Sequence, residues 1–204
     1  MIICAGDKEQ FDFATPIGIG MVHSAVNLTR QCLLNPPEFL LFVGTAGSYG
    51  NREIFDIVES RTAANIENSF FTHGNYTPID NVISTAEPSR LHFLPTATVP
   101  DLQTRSSSHL LDGSHVSRET IVNSSNYITI NKEVSRHYLE NNIELENMEF
   151  YAVLKVAEEL GIPAGGVFIV TNYCDKYAHQ TFMDNHHEAM KQLTEYMRRR
   201  IGNE

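Results

Sequence analysis

Residues 146–175, ENMEFYAVLKVAEELGIPAGGVFIVTNYCD, leave a chain few ways to fold. They read as an amphipathic helix, a Gly/Pro turn and a buried strand that stops at an acid. Val153, Val156 with Ala157, and Leu160 recur at helical spacing on one stripe, and Glu149 opens that stripe. A carboxylate on an apolar face costs free energy unless it is hydrogen-bonded or paired, and the unsatisfied N–H groups of a first helical turn offset only part of that cost. Val167 to Val170 has the composition of a strand buried on both faces, and the polar run Thr171, Asn172, Tyr173, Cys174, Asp175 follows it. Ligands of open α/β sheets gather beyond the carboxyl ends of strands. Glu149 at a helix start and Asp175 at a strand end can therefore face one crevice, two carboxylates suited to acid and hydrogen-bond work on a sugar. The plainer alternative is a helix cap and a surface-turn acid.

Met148-Glu149 opening a helix, followed by an apolar strand that ends in Cys174-Asp175, resembles the nucleoside phosphorylase and nucleosidase family, which includes purine nucleoside phosphorylases and methylthioadenosine/S-adenosylhomocysteine nucleosidases. Matches upstream extend the resemblance. Met1 to Ala5 is a short apolar strand followed by the turn Gly6-Asp7-Lys8-Glu9. Glu9 falls where the nucleosidases hold a water-activating glutamate; a solvated charged turn is the other reading. Phe39 to Val43 is an apolar strand leading into Gly44-Thr45-Ala46-Gly47-Ser48-Tyr49-Gly50, similar to the family's loop lining the phosphate or water site. Glycines there would let backbone N–H groups approach a ligand, with Thr45 and Ser48 adding hydroxyls; a tight turn is the alternative. Thr120 to Val122 is a short strand, after which Tyr127 and Ile128 fall at the positions that stack on the purine and meet the base edge in the family. Tyr127 as an ordinary strand residue is equally open.

The chain departs from the pattern at two places. Hexameric phosphorylases carry an arginine where Phe42 stands and another in the first loop, but no arginine precedes Arg30 here. Phosphate normally recruits such a fork of donors, so phosphorolysis is disfavoured unless Arg52, Arg61, Arg90 or a neighbouring subunit substitutes. The nucleosidases carry an arginine where Thr171 stands, which weighs against hydrolysis as well.

A net charge of −10 argues against a nucleic-acid backbone or an anionic membrane as the main partner, and favours a small ligand. Three cysteines without CxxC spacing, no basic-then-apolar start and no run of about 18 apolar residues predict a cytoplasmic protein. Gly18 and Gly20 lack the third glycine of a dinucleotide fingerprint and are read as a structural turn before a helix from Met21 that stops before Asn35-Pro36-Pro37. Strands continue from Ile54 with Phe55, Ile57 and Val58; the region from Thr62 to Arg118 allows short strands and loops, with residues 103–117 as a mobile or oligomer-contacting loop. Lys132 to Leu139 and Gln180 to Ile201 read as helices. His186-His187 point to different helix faces and complete no metal set with His179.

The expected fold is one α/β domain over residues 1–204, three layers around a mixed twisted sheet. By the resemblance, the chain cleaves the N-glycosidic bond of a purine nucleoside or 5'-substituted adenosine, with hydrolysis favoured over phosphorolysis. Asp175 would act on the purine N7 and Glu9 on water, while Glu149 and Met148 hold the ribose, Tyr127 and Ile128 the base, and Thr45 and Gly47 the nucleophile side. No cofactor or metal is expected, save inorganic phosphate as co-substrate of a phosphorylase. The resemblance also implies a homo-oligomer, a dimer or hexamer. A nucleoside-binding protein of the same fold without turnover is the alternative.

Overall fold

The computed structural model describes residues 1–72, 76–85 and 120–202. Its centre is β3 (Leu40–Ser48), along which β9 (Ala164–Tyr173) runs in parallel. Both strands are buried on two faces, and the alternation of their side chains divides the core. Leu40, Phe42, Phe168 and Val170 pack on one side, Leu41, Val43, Val167 and Ile169 on the other. The buried run predicted from Val167 to Val170 is thus the middle of a longer strand.

The free edge of β3 is shared by two neighbours. β1 (Ile2–Cys4) pairs with its first half, in parallel, at Leu41 and Phe42, and β8 (Ile143–Asn147) pairs with its end, antiparallel, at Gly47 and Ser48. β2 (Thr15–Pro16) lies outside β1; beyond β8 come β7 (Ile121–Ser124), β5 (Thr62–Ala64) and β6 (Val82–Ser84), and β4 (Ile57–Ser60) lies outside β9. Parallel and antiparallel pairs make the sheet mixed.

Helices cover both faces. α1 (Met21–Leu34) and α3 (Phe150–Leu160) lie together on one, where Leu28, Cys32, Val153, Leu154 and Ala157 join the core. α4 (Ala178–Ile201) covers the other through Ala189, Leu193 and Met197. This is the expected three-layer arrangement. α2 (Lys132–Glu140) is capped by the Asn131 side chain, which accepts from the Glu133 N–H, and it closes one end of the sheet with Tyr138. Gly161 ends α3 in the left-handed region, φ 66°, where Ile162 N–H bonds to the Ala157 carbonyl.

Three expectations need correction. The segment Gly44–Gly50, read as a loop, is strand as far as Ser48, because β9 and then β8 supply partners for its backbone; a register shift at Ala46/Gly47 bends it. Residues 146 and 147, read as the run-up to a helix, belong to β8, whose backbone bonds to β3 and β7. Phe55 is not in a strand: it sits at φ 73° in the turn before β4. Residues 103–117 and Arg90 lie outside the described residues.

Candidate active site

Between the end of β1 pairing at Phe42 and the start of β8 pairing at Gly47, the edge of β3 lacks a strand neighbour. Its backbone polar groups there must find other partners. Two side chains supply them at Thr45. Glu9 accepts from the Thr45 N–H at 3.2 Å and from the Thr45 hydroxyl, and Asn147 Nδ2 donates to the Thr45 carbonyl at 3.2 Å. This break in the sheet is the candidate site.

Glu9 is brought over the strand by the turn after β1, where Gly6 has φ 96° and Asp7 φ 54°, and Glu9 N–H closes the turn on the Gly6 carbonyl at 2.9 Å. His186 of α4 meets the Lys8 carbonyl at 3.1 Å and pins the turn from outside. A Cβ on Gly44 would stand 2.8 Å from the Glu9 carboxylate and from the Phe42 ring, so that glycine serves close approach. Burial raises the pKa of Glu9, against the opposing hydrogen bonds from Thr45.

Glu149 reaches the same place from the start of α3. Asn147 Oδ1 accepts from the Glu149 and Phe150 N–H groups at 2.8 and 2.9 Å, which caps the helix and aims Glu149 inward. Only 3% exposed, Glu149 accepts from the Gly20 N–H at the start of α1, at 2.9 Å. Its pKa is pushed up to about 7, first by burial and then by the charge of Glu9, with the Gly20 bond opposing. The structure therefore unites Glu9, Thr45 and Glu149. Met148 is half-buried beside them in sequence.

Tyr127, Ile128 and Asp175 belong to a second group. Tyr127 is 80% exposed and, with Ile128, Ser125, Thr129 and Asn131, borders a cavity of about 320 Å³. A neighbouring cavity of about 560 Å³ is bordered by Asp175, Lys132, Lys176 and Tyr177, and Ile130 and Asn131 line both. Asp175 accepts from the Tyr177 N–H at 2.9 Å, and the exposed Lys132 ammonium lies 3.6 Å from its other oxygen. No hydrogen bond joins Asp175 to Glu149 among the described residues. Gly47 stands beside this second group: a Cβ on it would be 2.9 Å from Cys174 Sγ.

Sequence reasoning missed Asn147 and Lys132. Asn just ahead of a helix is a capping signal, and Asn147 carries it. Phe42 packs in the core against Phe168 and Phe150, ring centroids 5.7 and 6.2 Å apart. Arg52 is engaged by Glu144 at 2.7 Å and by the Thr120 hydroxyl at 2.8 Å. Thr171 is buried and bonds to Asn172 Oδ1 at 2.9 Å.

The sequence matches the family model described as "Phosphorylase superfamily" over residues 4–201. Among solved structures, a mutant of Helicobacter pylori 5'-methylthioadenosine/S-adenosylhomocysteine nucleosidase with 5'-methylthioadenosine in its active site is similar at TM-score 0.75 and 17% identity, covering 100% of this chain and 97% of that one. A futalosine hydrolase mutant of Helicobacter pylori is similar at TM-score 0.71 and 17% identity, covering 100% and 98%. The S-adenosylhomocysteine nucleosidase of Streptococcus pyogenes in complex with 5-methylthiotubericidin is similar at TM-score 0.70 and 14% identity, covering 99% and 95%. No curated protein matches the sequence significantly. Among the described residues, no helix is long and apolar enough to cross a membrane.

Proposed function

The chain belongs to the phosphorylase superfamily, and on that premise we propose that it hydrolyses the N-glycosidic bond of a purine nucleoside or a 5'-substituted adenosine. The observation that carries this reading is the pair of enclosed carboxyl groups, Glu9 and Glu149, meeting at the open edge of β3. A sugar carbon losing its base becomes cationic, and carboxylates beside it favour that charge. Glu9, whose pKa burial raises, takes a proton from an attacking water, and the Thr45 hydroxyl holds its carboxylate in place. Glu149 and Met148 hold the ribose. Asp175 hydrogen-bonds or protonates the purine at N7, so the base leaves neutral, with Tyr127 and Ile128 against it and Gly47 keeping the strand close. One water is consumed; free base and free sugar are released.

Hydrolysis is preferred to phosphorolysis because Phe42 fills the core where the resembling phosphorylases carry an arginine, and Arg52 is held by Glu144 and Thr120. Base release followed with and without inorganic phosphate tests this: equal rates are expected, and strict phosphate dependence would select the phosphorylase. A second reading, nucleoside binding without turnover, draws support from Lys132, whose ammonium lies 3.6 Å from the Asp175 carboxylate. Nucleosides that bind and are never cleaved would select it. The nucleosidase reading brings with it a single domain, a cytoplasmic location and a homo-oligomer, dimer or hexamer, with a small nucleoside rather than nucleic acid or membrane as partner.

A further inference from the structure

Glu146 is a buried acid for which the proposed chemistry has no use. It lies on β8 opposite Gly47 of β3 and Asn123 of β7, and is 7% exposed. Such a group is costly unless its oxygens are filled. They are filled from three separate pieces of chain. Thr129 donates its N–H to Oε1 at 2.9 Å and its hydroxyl to Oε2, Tyr49 donates its hydroxyl to Oε2 at 2.9 Å, and the Cys174 thiol stands 3.9 Å from Oε1. A glutamine in the same place has one accepting oxygen, and its NH₂ would face donors. The convergence of donors therefore calls for an acid.

The donors are those that matter for the site. Thr129 follows Tyr127 and Ile128 on the segment that borders the first cavity, and Cys174 precedes Asp175 on the border of the second. Ser135 of α2 also donates to the Cys174 carbonyl at 2.6 Å, and Tyr49 stacks on Tyr138 of α2 with centroids 4.3 Å apart. We propose that Glu146 is a positioning residue that fixes segment 125–131 against the Cys174–Asp175 turn and thereby sets the affinity for the purine base. The identity of the ligand rests on the proposed function; the hold on the segment does not. The closer bonds go to Thr129 and the long one to Cys174, so loss of the acid falls on base binding before it falls on the turn that carries Asp175.

The test is Glu146→Gln in the full chain, with Thr129→Val as a milder second variant, both checked for folding by circular dichroism. Adenine is the probe, titrated calorimetrically, and amide hydrogen exchange is followed across residues 125–131. In Glu146→Gln the exchange of this segment should accelerate about tenfold, adenine should bind about tenfold more weakly, and KM should rise in step while kcat stays within about threefold. Thr129→Val should shift adenine binding about threefold in the same direction. A residue serving only overall stability would lower the melting temperature and leave adenine affinity alone. A folded variant with unchanged exchange in residues 125–131, or with unchanged adenine affinity, overturns the proposal. A wild-type protein that binds no purine overturns the nucleosidase reading and the adenine clause with it, and the exchange measurement then decides the hold of Glu146 by itself.

Discussion

Two carboxyl groups of like charge share the break in the sheet, and the fold is less stable for it. The Glu149 pKa rises from 4.5 to about 7 on folding. Between those values the native chain keeps a proton that the unfolded chain has released, so this stabilisation is complete below about pH 4.5 and lost as pH rises through about 7. Glu149→Gln cannot lose it. Thermal melts should show the variant and wild type equal near pH 4 and the variant ahead above pH 7, by roughly 3 kcal/mol at most. A difference that does not change with pH would argue against the enclosure of Glu149. On the proposed nucleosidase reading, Asp175→Asn should lower turnover at least about 100-fold with an unchanged melting curve, and a fully active variant would remove the acid from the proposed mechanism. The burial of Glu149 was legible because its spacing from Val153 and Val156 set it on the apolar stripe. The contact of Lys132 with Asp175 was not: it joins the exposed first residue of α2 to the turn after β9, and nothing in local periodicity reports which segments meet.

Glycine misled the reading of β3. A Gly-rich run after an apolar strand reads as a loop, yet Gly44 and Gly47 lie within paired strand because neighbouring side chains come too close for a Cβ. Gly47→Ala would place that carbon 2.9 Å from Cys174 Sγ and 3.1 Å from Asn172 Nδ2. The midpoint of urea unfolding should fall by the equivalent of about 1–3 kcal/mol, because β9 is held in register on the other side and cannot yield freely. A variant as stable as wild type would mean that the turn after β9 moves without strain. α1, α3 and α4 were legible from their apolar periods and their turn signals. β8 was not, since Ile143–Asn147 is short and carries two glutamates and an asparagine among its five residues, a composition that reads as helix or turn.

For the molecule as a whole, the layer order followed from the sequence because βα alternation at both ends of the chain demands a sheet covered on two faces. The unshared edge of β3 did not, since strand partners are chosen by tertiary packing. A nucleoside that fills the site should stabilise the folded chain by about 2.7 kcal/mol at a hundred times its dissociation constant, and its titration against the melting temperature measures that constant without requiring turnover. A melting temperature indifferent to adenosine and to 5'-methylthioadenosine would count against the pocket. The unshared stretch of β3 bears on how the protein is made as well as on what it binds. Its two acids arrive from remote parts of the chain: the bond from Gly20 to Glu149 alone spans 129 residues. During synthesis the early half emerges with Glu9 and Thr45 already present but with the neighbouring edge bare, a state prone to mispairing. An assembled site would then be among the last properties that a refolding chain recovers, after its helices and after most of its compactness.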